Sequence, residues 1–206
     1  MSNVPVMVDE AMSVVSSGKH ATEEHVAIAE ELLGYVGKVL RLEETHLDAV
    51  TATSGSGPPL VKAANWLSHI EFDIESPVWR HWVRDMSLRH KFIRYDERGC
   101  GLSDWEAGDF SFEDWVADLE TVVEALGLER FPLLGVSQGA AVAVAYAARH
   151  PDRVAALVLS GAYARGRFVR AMTEDERRAA ALDLDLARVG WGRDDPAFRQ
   201  VFAAQF

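Results

Sequence analysis

Residues 131–148 form an 18-residue run without a charge, and the residues that interrupt it decide how it can fold. Pro132, Gly135, Ser137, Gln138 and Gly139 break the apolar stretch, so it reads as strand, tight turn and helix rather than as a membrane span. The turn is Gly135-Val136-Ser137-Gln138-Gly139, a G-x-S-x-G pattern. A serine in such a corner has its hydroxyl pushed out beyond the sheet end, and a Cβ two residues away on either side would collide with neighbouring chain. The helix that follows aims its first N–H groups at the same point, where negative charge develops during acyl transfer. Its small residues, Ala140, Ala141, Ala143, Ala145 and Ala147, let it lie close to the sheet.

The rest of the chain alternates strand and helix, which implies a parallel sheet covered on both faces, an α/β architecture. Strands are expected at 60–64, 92–95, 131–136 and 154–159, and helices at 77–89, 111–126, 138–149 and from Thr173 to near Gly190. Trp79, Trp82 and Val83 share one side of the first of these helices. Trp115, Leu119, Val122, Val123 and Leu126 form the buried stripe of the second, which Ser111 and Asp114 cap. Thr173 and Glu176 form a second capping box, and Asp195-Pro196 starts a last helix.

Residues 1–57 read differently, as a strand at 12–16, a helix capped by Thr22 with Ala29, Leu32, Leu33 and Val36 on one face, and a strand at 39–42. They carry three basic residues against nine acids. Residues 58–206 carry 18 against 23, and 16 of those 18 are arginine. The change falls at Ser54-Gly55-Ser56-Gly57-Pro58-Pro59, which marks a boundary between a 1–57 appendage and a 58–206 domain.

The net charge of −11 argues against nucleic acid or anionic lipid as partners. The single cysteine, Cys100, excludes an internal disulfide and a cysteine-based zinc cluster. Without a basic and then apolar start the chain shows no signal peptide, so a cytoplasmic protein is expected, with no metal and no cofactor.

Residues 58–206 resemble the front part of an α/β-hydrolase-fold protein, in a branch often joined to helix-turn-helix or nucleotide-cyclase modules. The likeness rests on Pro58 to His69, on the 95–104 stretch Tyr-Asp-Glu-Arg-Gly-Cys-Gly-Leu-Ser-Asp, on the serine turn, and on Arg149-His150-Pro151-Asp152-Arg153-Val154. The resemblance implies serine hydrolysis of an ester-like small substrate. Ser137 is then the nucleophile, the Gln138 and Trp66 backbone N–H groups form the oxyanion hole, and Gly135 and Gly139 are the elbow glycines. Asp96, Arg98, Gly99, Gly101 and Ser103 correspond to a structural turn beside the site, and the helices from about 173 to the beginning of a cap.

A serine hydroxyl needs a base, and the base an orienting acid. In the family these follow the serine on later strands, whereas His150 is the one histidine after Ser137. Along a helix it stands roughly 20 Å from Ser137, beyond any hydrogen bond. Asp183 and Asp185 fall on a cap-like helix. His69 follows Trp66 by three residues and is the upstream candidate; His20, His25, His46, His81 and His90 have no metal-ligand spacing. The chain is therefore expected to be a catalytically incomplete hydrolase.

Residues 4–57 resemble a fragment of pyrroline-5-carboxylate reductase, through Gly18-Lys19-His20-Ala21-Thr22-Glu23-Glu24 and through 47–58, which looks like the start of that enzyme's interdomain helix. No G-x-G-x-x-G occurs, so no nicotinamide cofactor is expected. The two resemblances meet at Ser-Gly-Pro, which implies a fused or truncated reading frame. A ligand-sensing module and a reductase fragment are the alternative functions.

Overall fold

A computed structural model of the chain describes residues 11–15, 22–34, 37–41, 51–107 and 110–204. In chain order, β1 (Ala11–Val15), α1 (Glu23–Gly34) and β2 (Gly37–Arg41) form a strand–helix–strand unit with β1 parallel to β2. Next come β3 (Thr51–Ser54), β4 (Pro59–Lys62), α2 (Phe72–Glu75), α3 (Arg80–Ser87), β5 (Lys91–Tyr95), α4 (Phe112–Ala125), β6 (Phe131–Val136), α5 (Gly139–Arg149) and β7 (Val154–Ser160). Two compact units divide at Ala162 and Tyr163, and the second holds α6 (Arg167–Arg170), α7 (Glu174–Gly190) and α8 (Pro196–Ala203).

Five strands form one sheet in the order β3-β5-β4-β6-β7, parallel throughout except for β3, which runs antiparallel to β5. Adjacent residues of a strand face opposite sides, and both sides of this sheet bury apolar residues. Val61, Ile93 and Leu133 join Val116, Leu119 and Val123 of α4 and Val142 and Tyr146 of α5 in one core. Their neighbours Leu60, Phe92 and Leu134 join Val83 of α3 in another. β7 is an edge strand, and its apolar Leu157, Val158 and Leu159 are exposed.

Both capping boxes form as expected. Ser111 Oγ accepts from the Asp114 N–H while Asp114 accepts from Ser111, and Thr173 does the same with Glu176. The Thr22 hydroxyl accepts the His25 N–H at 3.3 Å. Residues 131–149 resolve into strand, corner and helix, and no helix among the described residues is long and apolar enough to cross a membrane.

Two expectations are corrected. The stripe on α1 is rotated: Val26 is buried at 2 % exposure while Leu32 stands 63 % exposed, so the helix turns an earlier residue inward. Val36 and the Leu33 side chain lie outside the described residues. The 47–58 segment also does not begin a helix where it is described. Residues 51–54 pair with the free edge of β5, because alternating β-branched Thr51 and Thr53 suit a strand whose N–H and C=O groups find partners there. The seam at 54–59 accordingly connects two strands of a single sheet.

Candidate active site

Ser137 stands at the carboxyl end of β6 with φ at +52°, one of two non-glycine residues in the left-handed region among those described. Such a conformation costs on the order of 1–3 kcal/mol and persists where surrounding structure holds it. The holding groups are visible. Ser137 N–H donates to the Ser160 carbonyl at 2.9 Å, and the Ala140 N–H donates to the Ser137 carbonyl at 3.1 Å. A Cβ on Gly135 would lie 2.6 Å from Ala140 Cα, and one on Gly139 would lie 2.4 Å from the Ala64 carbonyl oxygen. The corner therefore closes only with glycine at both places, and its closeness to Ala64 presses it against the end of β4.

The second left-handed residue is Leu67, φ +64°, in the loop after β4. Strain thus sits beside Trp66 as it does beside Gln138. Ala63 N–H continues the ladder to the Leu134 carbonyl at 2.9 Å, and Lys62 Nζ donates to Asn65 Oδ1. The Asn65 amide in turn donates to the Trp66 carbonyl at 3.1 Å, and Lys62 also lies 4.9 Å from the centre of the Trp79 ring. This chain fixes the Trp66 peptide. Its N–H donates to Gln138 Oε1 at 2.8 Å, across 72 residues of sequence.

The juxtaposition follows from strand order. From β4 the chain moves to β5 on one side, then crosses back to β6 on the other. The loops leaving the carboxyl ends of β4 and β6 diverge and leave a crevice there, which is where open α/β sheets bind ligands.

Next to it, residues 96–103 form a tied turn. Asp96 is fully buried, and its carboxylate accepts the Ile70 N–H at 3.1 and 3.2 Å and the Leu102 N–H at 2.9 Å. Ser103 Oγ donates to the Asp96 carbonyl at 2.7 Å, and the Gly99 N–H donates to the Asp104 carbonyl at 2.8 Å. Gly101 at φ +53° leaves room for the Asp96 carboxylate, which a Cβ would meet at 2.0 Å. Arg98 donates from Nε at 3.0 Å and from Nη2 at 2.6 Å to Asp118 Oδ1, and its backbone N–H reaches Asp118 Oδ2 at 3.0 Å.

Buried charge collects beneath this crevice. Lys62, Asp73, Arg94, Asp96 and Glu97 are each less than one-tenth exposed, with Arg94 Nη1 at 3.4 Å from Asp73. Burial pushes the Glu97 carboxyl up to about 7 and the Lys62 ammonium down to about 8. Burial, reinforced by the charge of Glu97, raises the Cys100 thiol to about 11, so it is no nucleophile at neutral pH.

Glu97 gives a pH prediction. A carboxyl whose folded pKa exceeds its ordinary 4.5 binds its proton more tightly in the folded state, so stability falls as pH rises from 4.5 to about 7 and is level above. Glu97→Gln is expected to remove that decline, worth about 3 kcal/mol. Urea unfolding at pH 4.5 and 7.5 measures it; an equal decline in the variant refutes it.

The described histidines are placed elsewhere or engaged. His150 Nε2 pairs with Glu120 at 2.8 Å, and its ring rests 4.6 Å from that of Tyr146. His90 precedes β5, at the opposite edge of the sheet, and His25 and His81 lie on α1 and α3. His69 shares the crevice edge, but its Nδ1 accepts the Phe72 N–H at 3.2 Å. His20 and His46 lie outside the described residues. A cavity of about 570 Å³ lined by Ile74, Pro77, Arg80, His81, Val83 and Arg84 contains none of the crevice residues.

Ser137, Gln138, Trp66 and the 96–103 turn lie together around the crevice, and Lys62, Asn65, Glu97, Asp118 and the Gln138 side chain, to which the sequence assigned no part, lie among them. One signal was present: Lys62 is a lone charge in the apolar run Leu60-Val61-Lys62-Ala63-Ala64.

Residues 72–206 match the family model described as alpha/beta hydrolase fold. The chain is 35% identical over 114 residues to 2-hydroxy-6-oxo-2,4-heptadienoate hydrolase of Pseudomonas putida, covering 55% of this chain and 37% of that enzyme. It superposes on a solved enol-lactonase from Burkholderia xenovorans with a TM-score of 0.50 at 28% identity, covering 68% of this chain and 55% of the other. Over 61 residues the chain is also 52% identical to pyrroline-5-carboxylate reductase of Arabidopsis thaliana, 30% of this chain and 22% of that enzyme. The chain spans less than two thirds of the length of each of these relatives. With the family match covering well over half of its residues, and a mostly parallel sheet whose β6 turns through a glycine-flanked serine into α5, the chain belongs to the alpha/beta hydrolase fold family.

Proposed function

We propose that this chain carries the nucleophile and oxyanion hole of a serine hydrolase for small ester-like substrates, and that it turns over slowly. Ser137 at φ +52°, wedged between two glycines at the switch point of the sheet, is the observation that carries the reading. Its Oγ attacks the substrate carbonyl carbon, the carbonyl π pair moves onto oxygen, and the backbone N–H groups of Gln138 and Trp66 stabilise the resulting anion. Asp96, Arg98, Gly99, Gly101 and Ser103 act as scaffold for the loop. The hydrolase and lactonase relatives support a carbonyl substrate.

No described histidine is engaged with Ser137, so the hydroxyl proton passes to solvent water as the bond forms. Collapse of the anion then breaks the carbon–oxygen bond to the leaving alkoxide, and water hydrolyses the acyl-serine that remains. Oxyanion donors and binding alone supply on the order of 10³-fold over the uncatalysed reaction. Turnover of p-nitrophenyl acetate is expected modestly above that floor, through acylation of Ser137, and to fall to it in Ser137→Ala. Equal rates in the two proteins would remove Ser137 as nucleophile. Ser137-dependent turnover rivalling a complete hydrolase would overturn the slow-turnover reading.

A further inference from the structure

We infer that the Gln138 side chain is a latch on the oxyanion hole, occupying the Trp66 N–H until a substrate oxygen displaces it. This rests on the proposed serine chemistry and adds a control to that site. Gln138 plays two opposed parts. Its backbone N–H is one of the two donors, while its side-chain Oε1 accepts the other donor, Trp66 N–H, at 2.8 Å. The amide carbonyl has the same acceptor chemistry as an ester carbonyl, so the two compete for one N–H.

The arm hangs from a fixed backbone. The Gln138 backbone is held at the start of α5, where its carbonyl accepts the Ala141 N–H at 3.0 Å. Opening the latch therefore takes rotation of the side chain away from Glu97 and leaves the backbone of the corner in place. Nε2 is buried and makes no hydrogen bond of normal length, although the Glu97 carboxyl lies beside the carboxamide. The carboxamide is thus held on two sides, by the Trp66 N–H at its oxygen and by the Glu97 carboxyl beside its nitrogen.

The competition favours the reacting state. A neutral substrate carbonyl offers no stronger acceptor than the glutamine, whereas the oxyanion forms a charge-assisted bond roughly twice as strong. The oxyanion must open the latch and bears its full cost, whereas the unreacted ester can bind with the latch closed and bears no more than that. Removing the latch therefore speeds reaction at Ser137 more than it tightens ester binding.

Gln138→Leu removes the acceptor while keeping the bulk and the backbone N–H, and Gln138→Asn shortens the arm by one methylene should leucine disturb folding. Hydrogen exchange of the Trp66 amide, followed by NMR, is expected to quicken about tenfold in both variants, the factor expected from losing one neutral hydrogen bond. Labelling of Ser137 by a fluorophosphonate, located by mass spectrometry, is expected to accelerate several-fold, with Ser137→Ala as control. Unchanged Trp66 exchange, or faster exchange with unchanged labelling of Ser137, overturns the latch alone. Absence of label at Ser137 in wild type and variants removes the nucleophile itself, and the latch with it.

Discussion

Asp118→Ala is expected to lower the unfolding free energy by about 3 kcal/mol, among the largest losses for a single substitution away from Ser137. Asp118 is 1 % exposed and accepts three bonds from Arg98: Nε, Nη2 and the backbone N–H. Removing the carboxylate strands a guanidinium and a backbone donor in a partly dry site, and breaking one side of a buried pair costs about 3–5 kcal/mol. The lower end applies here because the Arg98 side chain is 15% exposed and keeps Asp114 Oδ1 at 3.4 Å from Nη1. Asp118→Asn, which retains an acceptor for the backbone N–H, should recover part of the loss. Urea unfolding of the three proteins measures this; a loss under about 1 kcal/mol in the alanine variant would show that solvent replaces the carboxylate.

Gly139→Ala is expected to destabilise by about 2 kcal/mol and to separate the two loops of the crevice. A Cβ there meets the Ala64 carbonyl oxygen at 2.4 Å and that of Ala63 at 3.0 Å, both backbone atoms with no rotamer to yield. Overpacking of this kind costs about 1–3 kcal/mol, while alanine gains at most about 1 kcal/mol of helix propensity over glycine. The steric term wins. Because β4 leads directly to Trp66, pushing it away also lengthens the Trp66–Gln138 hydrogen bond, so Trp66 amide exchange should quicken along with the fall in urea midpoint. Wild-type stability in the variant would mean that strand and helix can part there freely.

The parts of this fold that were legible in advance are those with local causes. The serine corner needed two glycines, an apolar strand before and small residues after, all within 131–148. The two capping boxes needed a hydroxyl and an acid three residues apart. The misreadings came where a distant partner decided. Residues 51–54 became a strand because β5 had an edge to offer, and α1 buried Val26 rather than Leu32 because a helix face is chosen by what packs against it. In the crevice, Trp66 was legible as the residue after a strand, but its occupation by Gln138 was not.

The chain's own order of residues determined that β6 must turn sharply at Ser137 and that strands and helices must alternate, since steric room and hydrophobic period are properties of neighbours in sequence. Only the tertiary structure decided what faces that serine. By laying β4 between β5 and β6, it brings a loop 72 residues away against the corner, buries Glu97 and Lys62 beneath it, and places a glutamine carbonyl on the Trp66 amide. Strand order arises from packing of whole elements, which no run of adjacent residues encodes.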